Sequence, residues 1–236
     1  MTDLEARLRR IRTATREGRP REARDLGTRA LREAREVPEL AVLAGLAARD
    51  LNAASASEDL AAALQAGLGT PEDRIAGWVA LAEDADTRRL WRQADEAWAA
   101  ACREGTERQE LLLGRAGSLL RAGRSTDAEP LLATVTTGDD TALSLAAWLL
   151  LSGIHLAAYR LTQAAKAAEQ ARDLAQRRHN WLAYSAAEID LSEVRIRRQD
   201  RAGALDGLLA ALRVLRRRGD PGALLVARVH EVRTLA

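Results

Sequence analysis

Small or apolar residues recur at one internal spacing along this chain: Ala23, Gly27 and Ala30; Ala94, Trp98 and Ala101; Ala128, Leu132 and Val135; Ala164, Ala168 and Ala171; Ala204, Leu208 and Ala211. Positions i, i+4 and i+7 share one face of an α-helix. Successive sets lie 71, 34, 36 and 40 residues apart, the first interval spanning two units. A period that short holds two helices and a turn, so the pattern predicts an all-α solenoid of stacked helix pairs. Such arrays bury a continuous core between neighbours and expose an extended surface.

Start and stop signals divide the chain further. Thr2 is placed to cap a helix over residues 2–17, and Gly18 and Pro20 separate it from a second over 20–36. Further helices are predicted over 38–51, 57–68, 71–83, 86–103, 107–121, 125–135, 142–159, 161–177, 181–198 and 201–218, with a last one from Pro221 to the C-terminus. The loops are the run 52–57, Gly69 to Pro71, Gly123, the turn-rich stretch 134–141 and Gly219 to Gly222. This makes one repeat domain over 1–236, with units 2–37, 38–70, 71–105, 106–138, 141–178 and 181–219 and a terminal helix over 221–236. Pro130 falls in the first turns of its helix.

One stretch, TALSLAAWLLLSGIHLAAY over 141–159, carries no formal charge. Its length approaches that of a membrane span. It holds Ser144, Ser152, Gly153 and His155 and lies between helical repeats, so it reads as a central helix packed on nearly all sides. A partner or dimer surface on the same helix is the addition to that reading.

Composition fits the pattern. The hydrophobic fraction is 47% but only 3% is aromatic, with no Phe, and the excess of Ala and Leu favours helix over strand. The single cysteine, Cys102, excludes an intrachain disulfide and lies beside Ala101 on a packing face. The first twenty residues are charged throughout and lack the apolar run of a secretory signal, so a cytoplasmic protein is expected. Lys166 is the only lysine among 36 basic residues, a bias that Arg- and Ala-rich codon usage accounts for.

The pairing of large and small residues leads to a family. Trp78, Leu112 and Trp148 each lie sixteen residues before Ala94, Ala128 and Ala164, so in three consecutive units both halves of the pattern travel together. This resembles the tetratricopeptide repeat, in which large and small residues interlock the two helices of a unit. Gly18 and Gly123 stand five residues before the small residue of a second helix, where that family turns the chain. The slot that holds Trp or Leu in the central units is filled by Arg7 in the first unit, with Leu8 beside it, and by Glu188 in the sixth; unit 38–70 matches only in its helix pattern. The 40-residue unit is similar to the longer repeats of bacterial regulators of the maltose-activator type. The resemblance implies a right-handed superhelix whose groove is lined by first helices.

Chemistry of the catalytic kind is not expected. His155, His179 and His230 are scattered without metal-type neighbours, and His155 takes a core position. Neither a phosphate-binding glycine loop nor a GxSxG elbow occurs, and acidic pairs such as Glu83 with Asp84 and Asp139 with Asp140 read as helix-end carboxylates. No cofactor or metal is expected.

Charge is unevenly spread: 11 basic and 7 acidic residues over 1–36, 13 and 20 over 37–176, and 12 and 7 over 177–236. Basic ends and an acidic middle can attract between copies, and the uncharged helix offers a second route to a homo-oligomer. The Arg runs at 195–201 and 213–218 lack interleaved aromatics, which disfavours nucleic acid.

The family's groove positions correspond here to Val79 and Glu83, Leu113 and Gly117, Leu149 and Gly153, Ile189 and Glu193. They lack the Lys and Asn clamp of its chaperone-tail-binding branch. The resemblance implies a non-enzymatic scaffold or adaptor holding a protein or peptide through this concave face. The candidate partner-binding residues are Leu113, Arg121, Leu149, Gly153, Leu156, Ile189, Glu193 and Arg197. The alternative is a sensory module acting on a bacterial transcription regulator or another signalling partner.

Overall fold

The computed structural model describes residues 3–34, 37–51, 55–106 and 108–218. Among them are twelve α-helices, one short 3-10 turn and no strand. The helices gather into two compact units divided between Ala122 and Gly123. The first holds α1 (Asp3–Arg16), α2 (Pro20–Ala34), the 3-10 turn Pro38–Leu40, α3 (Ala41–Asp50), α4 (Ala56–Gln65), α5 (Pro71–Thr87), α6 (Trp91–Glu104) and α7 (Gln109–Arg121). The second holds α8 (Ser125–Thr136), α9 (Thr141–Ala157), α10 (Leu161–Arg177), α11 (Trp181–Arg197) and α12 (Arg201–Arg218). Within each unit successive helices pack as sequential antiparallel pairs. The first helices of neighbouring pairs also touch, α1 on α3 and α3 on α5 in one unit, α9 on α11 in the other.

The repeat is written in the turns as well as on the helix faces. Five residues before the small residue of the second helix, the backbone is left-handed at Gly18 (φ 71°), Arg89 (59°), Gly123 (76°), Tyr159 (57°) and Gln199 (65°). The following N–H reaches back to close the preceding helix: Arg19 to Ala14, Leu90 to Ala85, Arg160 to His155 and Asp200 to Arg195, at 2.8–2.9 Å. This is the Schellman stop, normally glycine because a Cβ strains the left-handed conformation. Here three of the five positions carry a side chain.

The small residues marked by the periodicity are the contact points. Ala23, Ala94, Ala128, Ala164 and Ala204 are fully buried. In the first unit Leu8, not Arg7, fills the core beside Leu43, while Arg7 turns outward to Asp3 at 2.8 Å and Glu33 at 3.3 Å. At the other end Glu188 is buried despite its charge, 3.9 Å from Arg172. Gly207 of α12 makes room for it: a Cβ there would stand 3.2 Å from Glu188 Oε2 and 2.6 Å from Ser192 Oγ.

Several boundaries differ from expectation. The helix expected over 71–83 runs on to Thr87, so Asp86 does not open the next helix; its side chain is buried on α5 as an acceptor, and α6 begins only after the turn at Arg89. Glu83 and Asp84 consequently lie within α5. The helix expected over 38–51 splits into the 3-10 turn and α3, and the one over 57–68 closes at Gln65 ahead of left-handed Gly67. Pro130 lies inside α8 as expected, and Asp140 caps α9 through the amides of Ala142 and Leu143. The expected Thr2 cap, the loop residues 52–54, Glu107 and the helix over 221–236 lie outside the described residues. Among the described residues no helix is long and apolar enough to cross a membrane.

Candidate partner-binding face

Helix α9 is apolar nearly all round because most of its surface is covered. Leu145, Ala147, Leu151, Ile154 and Leu156 are buried, and so are Ser144, Ser152 and His155. Leu145 packs against Ala171, Ala175 and Ala187, with Leu149 and Tyr184 at the edge of the same cluster. What stays open is a narrow stripe of small and aliphatic positions: Ala142, Ala146, Leu149, Leu150, Gly153 and Ala157. At Gly153 a Cβ would meet nothing within 4 Å, so the stripe is open at its middle.

Helix α11 runs alongside. Leu156 packs against Val194, and Arg197 Nη1 donates to the Leu156 carbonyl. Arg197 Nε also bonds Glu193 Oε1 at 2.9 Å, and its guanidinium stacks 4.6 Å over the exposed Tyr159 ring. Three contacts therefore fix this cation in place. Asp190, two turns before it, is half-buried near Ser152 of α9. Burial pushes its carboxyl up to about 6, with Ser152 pulling the other way and Glu193 adding to the rise. Ser152 Oγ, fully buried, makes no well-formed hydrogen bond.

The eight expected residues thus separate. Leu149 and Gly153 lie on the partly open stripe of α9, and Arg197 on α11 is partly exposed and bonded to Glu193, which is itself buried. Leu156 is corrected to the core, 8% exposed among Ala164 and Val194, and Ile189 likewise, packed against Leu208 and Leu212 of α12. Leu113 is half-buried on α7 of the first unit, and Arg121, on the same helix, is half-exposed. Asp190 was not expected. It is the neighbour of Ile189, which is buried, whereas Asp190 is half-buried.

Arg121 is not a free groove cation. Its Nη2 bonds Asp86 Oδ2 at 2.6 Å, and the same carboxylate accepts Trp98 Nε1 at 3.2 Å and Ser118 Oγ at 2.6 Å. A buried carboxylate with three donors ties α5, α6 and α7 together. Arg195, counted with the basic runs, is spent on the Gly203 carbonyl at 3.1 Å. His155 is a core histidine as expected. Its Nδ1 stands 3.9 Å from Glu129, which Arg160 holds by two bonds of 3.0 and 2.6 Å. Burial, and then Arg160, keep the imidazole below its ordinary pKa, and Glu129 offsets them in part. Cys102 is half-buried, and burial pushes its thiol up.

The first unit also holds a groove of about 520 Å³ between α4 and α6 over α5, floored by Trp78, Leu81 and Ala85. Its rim mixes Glu58, Asp84 and Glu96 with Arg88 and Arg103, so it has no marked charge preference. Among the described residues no cluster of His, Cys, Asp or Glu has metal-binding geometry.

No protein-family model matches the chain, and no curated protein matches it. Among solved structures it is similar to the apo form of RapI, with a TM-score of 0.68 and 11% sequence identity, over 98% of this chain and 72% of that one. At that identity the likeness concerns the fold, an all-α array of sequential helix pairs.

Proposed function

We propose that this chain is a non-enzymatic scaffold of the tetratricopeptide type, holding a protein or peptide partner through the first-helix face of α9 and α11. The observation that carries this reading is the partly open apolar stripe of α9, with the exposed Gly153 at its middle. On the neighbouring helix α11 three contacts immobilise Arg197. Preorganised polar groups beside an apolar cleft are what a binding surface needs, because little side-chain entropy is then lost on association.

The test is affinity capture from the native cell with the tagged protein and with Gly153→Leu, each identified by mass spectrometry. The leucine fills open space, so helicity by circular dichroism should be unchanged, and partners enriched by the wild type should be lost. Equal recovery by both proteins places the binding surface elsewhere.

A further inference from the structure

We infer that the groove between α4 and α6 in the first unit is a second docking site, which takes an amphipathic helix of a protein partner with a basic flank toward α4 and an acidic flank toward α6. The site lies apart from the α9 stripe and does not rest on it. Its shape, its floor and the charges left over on its walls lead there separately.

The groove is elongated. Its lining falls at helical spacing on three successive helices, over 57–65 of α4, 78–88 of α5 and 93–103 of α6. At 1.5 Å per residue these stripes run about 12–15 Å, two to three turns. A volume of about 520 Å³ spread over that length leaves a cross-section of roughly 35 Å². A whole helix, about 10–12 Å across, does not enter such a slot, but one row of its side chains does. A helix lying along the rim fills it with residues at i, i+4 and i+7, ridge into groove.

The floor is apolar and incompletely covered. Helix α4 is ten residues long and faces the groove with Ala61, so it leaves Trp78 and Leu81 of α5 half-buried. Both pack inward against Leu60 and Leu64 on one side and Ile75 and Ala97 on the other, which fixes their positions. Leu90, 37% exposed, extends the apolar surface at the turn before α6. A held, partly exposed tryptophan in a concave site is the residue type that anchors interfaces.

The rim has no preference for net charge, but its charges are unequally engaged. Asp84 is held by Arg88 at 3.4 Å and Glu96 by Arg92 at 2.9 Å. Glu58 on α4 and Arg103 on α6 are exposed and, among the described residues, in no ion pair. The two walls therefore carry opposite unpaired charges. A seated helix gains from lysine or arginine on the side of α4 and from aspartate or glutamate on the side of α6, and one sign on both flanks meets repulsion at one wall.

The experiment selects a phage-displayed library of amphipathic helices, with a fixed leucine ridge and flanks randomised among Lys, Glu and Gln, on the full chain. The best peptide is then titrated by fluorescence anisotropy against the wild type, Glu58→Lys, Ala61→Trp and Gly153→Leu. The expected result is enrichment of helices with Lys on one flank and Glu on the other. The best of them should lose about fivefold or more in affinity to Glu58→Lys and its measurable binding to Ala61→Trp, which fills the groove from the α4 wall. Exchanging its lysines for glutamate should weaken it on the wild type and restore it on Glu58→Lys. Circular dichroism checks that the variants fold, and if Ala61→Trp does not, the charge exchange at the exposed Glu58 decides alone. A library that yields no binder, binders without opposed flanks, or binding indifferent to Glu58→Lys overturns the inference. Peptides lost to Gly153→Leu instead sit on α9, which overturns it too and supports the scaffold reading.

Discussion

The indole N–H of Trp98 on α6 donates to the buried carboxylate of Asp86 on α5 at 3.2 Å, and the same carboxylate takes Ser118 and Arg121 of α7. Removing it strands a buried indole donor and a buried hydroxyl together. Asp86→Ala is therefore expected to destabilise the protein by about 2–4 kcal/mol, and Asp86→Asn, which retains one acceptor, by less. Urea denaturation of both variants measures the difference.

The Trp98 ring also depends on Gly114. A Cβ at Gly114 would stand 2.6 Å from Trp98 Cζ3, so Gly114→Ala forces the ring and the hydrogen bond to Asp86 apart. A loss of roughly 1–3 kcal/mol is expected from overpacking. Because both substitutions act on one contact, Gly114→Ala with Asp86→Ala should cost less than the sum of the two alone, which a double-mutant cycle reads directly.

The turns carry a prediction of opposite sign. Arg89 and Gln199 occupy left-handed backbone that costs an L-residue about 1–2 kcal/mol, against the smaller entropy penalty of glycine. Arg89→Gly and Gln199→Gly should each raise stability by about 0.5–1 kcal/mol. Gly123→Ala, at the same place in its own turn, should lower it by a similar amount although open space surrounds the new methyl. Thermal melts of the three variants give the comparison.

The architecture was legible because a small residue at a helix crossing leaves a trace: Ala23, Ala94, Ala128, Ala164 and Ala204 are all fully buried. The turns were legible only where glycine marks them, at Gly18 and Gly123; at Arg89, Tyr159 and Gln199 the same geometry is imposed by the packing of the flanking helices. A similar limit governs the ends of the array. Arg7 and Glu188 hold positions that a periodic reading assigns to large apolar residues, and the structure resolves the two differently. Leu8 replaces Arg7 in the core by a one-residue shift, whereas Glu188 stays buried because Gly207 yields the room. Asp86 was misread for a different reason: an aspartate before a helical run has the look of a cap, and only long-range donors, 12 to 35 residues away, show otherwise.

Asp190 makes the stability of the protein depend on pH in a window of its own. Its folded pKa, about 6, lies above the ordinary 3.8, so the fold favours the neutral acid. The stabilisation from that proton is complete below 3.8 and is lost as pH rises through 6. His155 acts oppositely in the upper part of the same range: its pKa is depressed from 6.5, so its contribution is present above 6.5 and is lost as pH falls. Glu72, Glu104, Glu129 and Asp140 are depressed by their partners and lose their contributions only below their ordinary values, 4.5 for the glutamates and 3.8 for Asp140. The wild-type profile alone therefore mixes several signs, and the difference from Asp190→Asn isolates one of them. The variant should be more stable than the wild type at pH 7 by about 1–2 kcal/mol, after allowance for partial exposure of the carboxylate. That advantage should shrink through pH 6 and level off near pH 4. A gap that stays constant across the range would mean that Asp190 titrates as an ordinary surface acid.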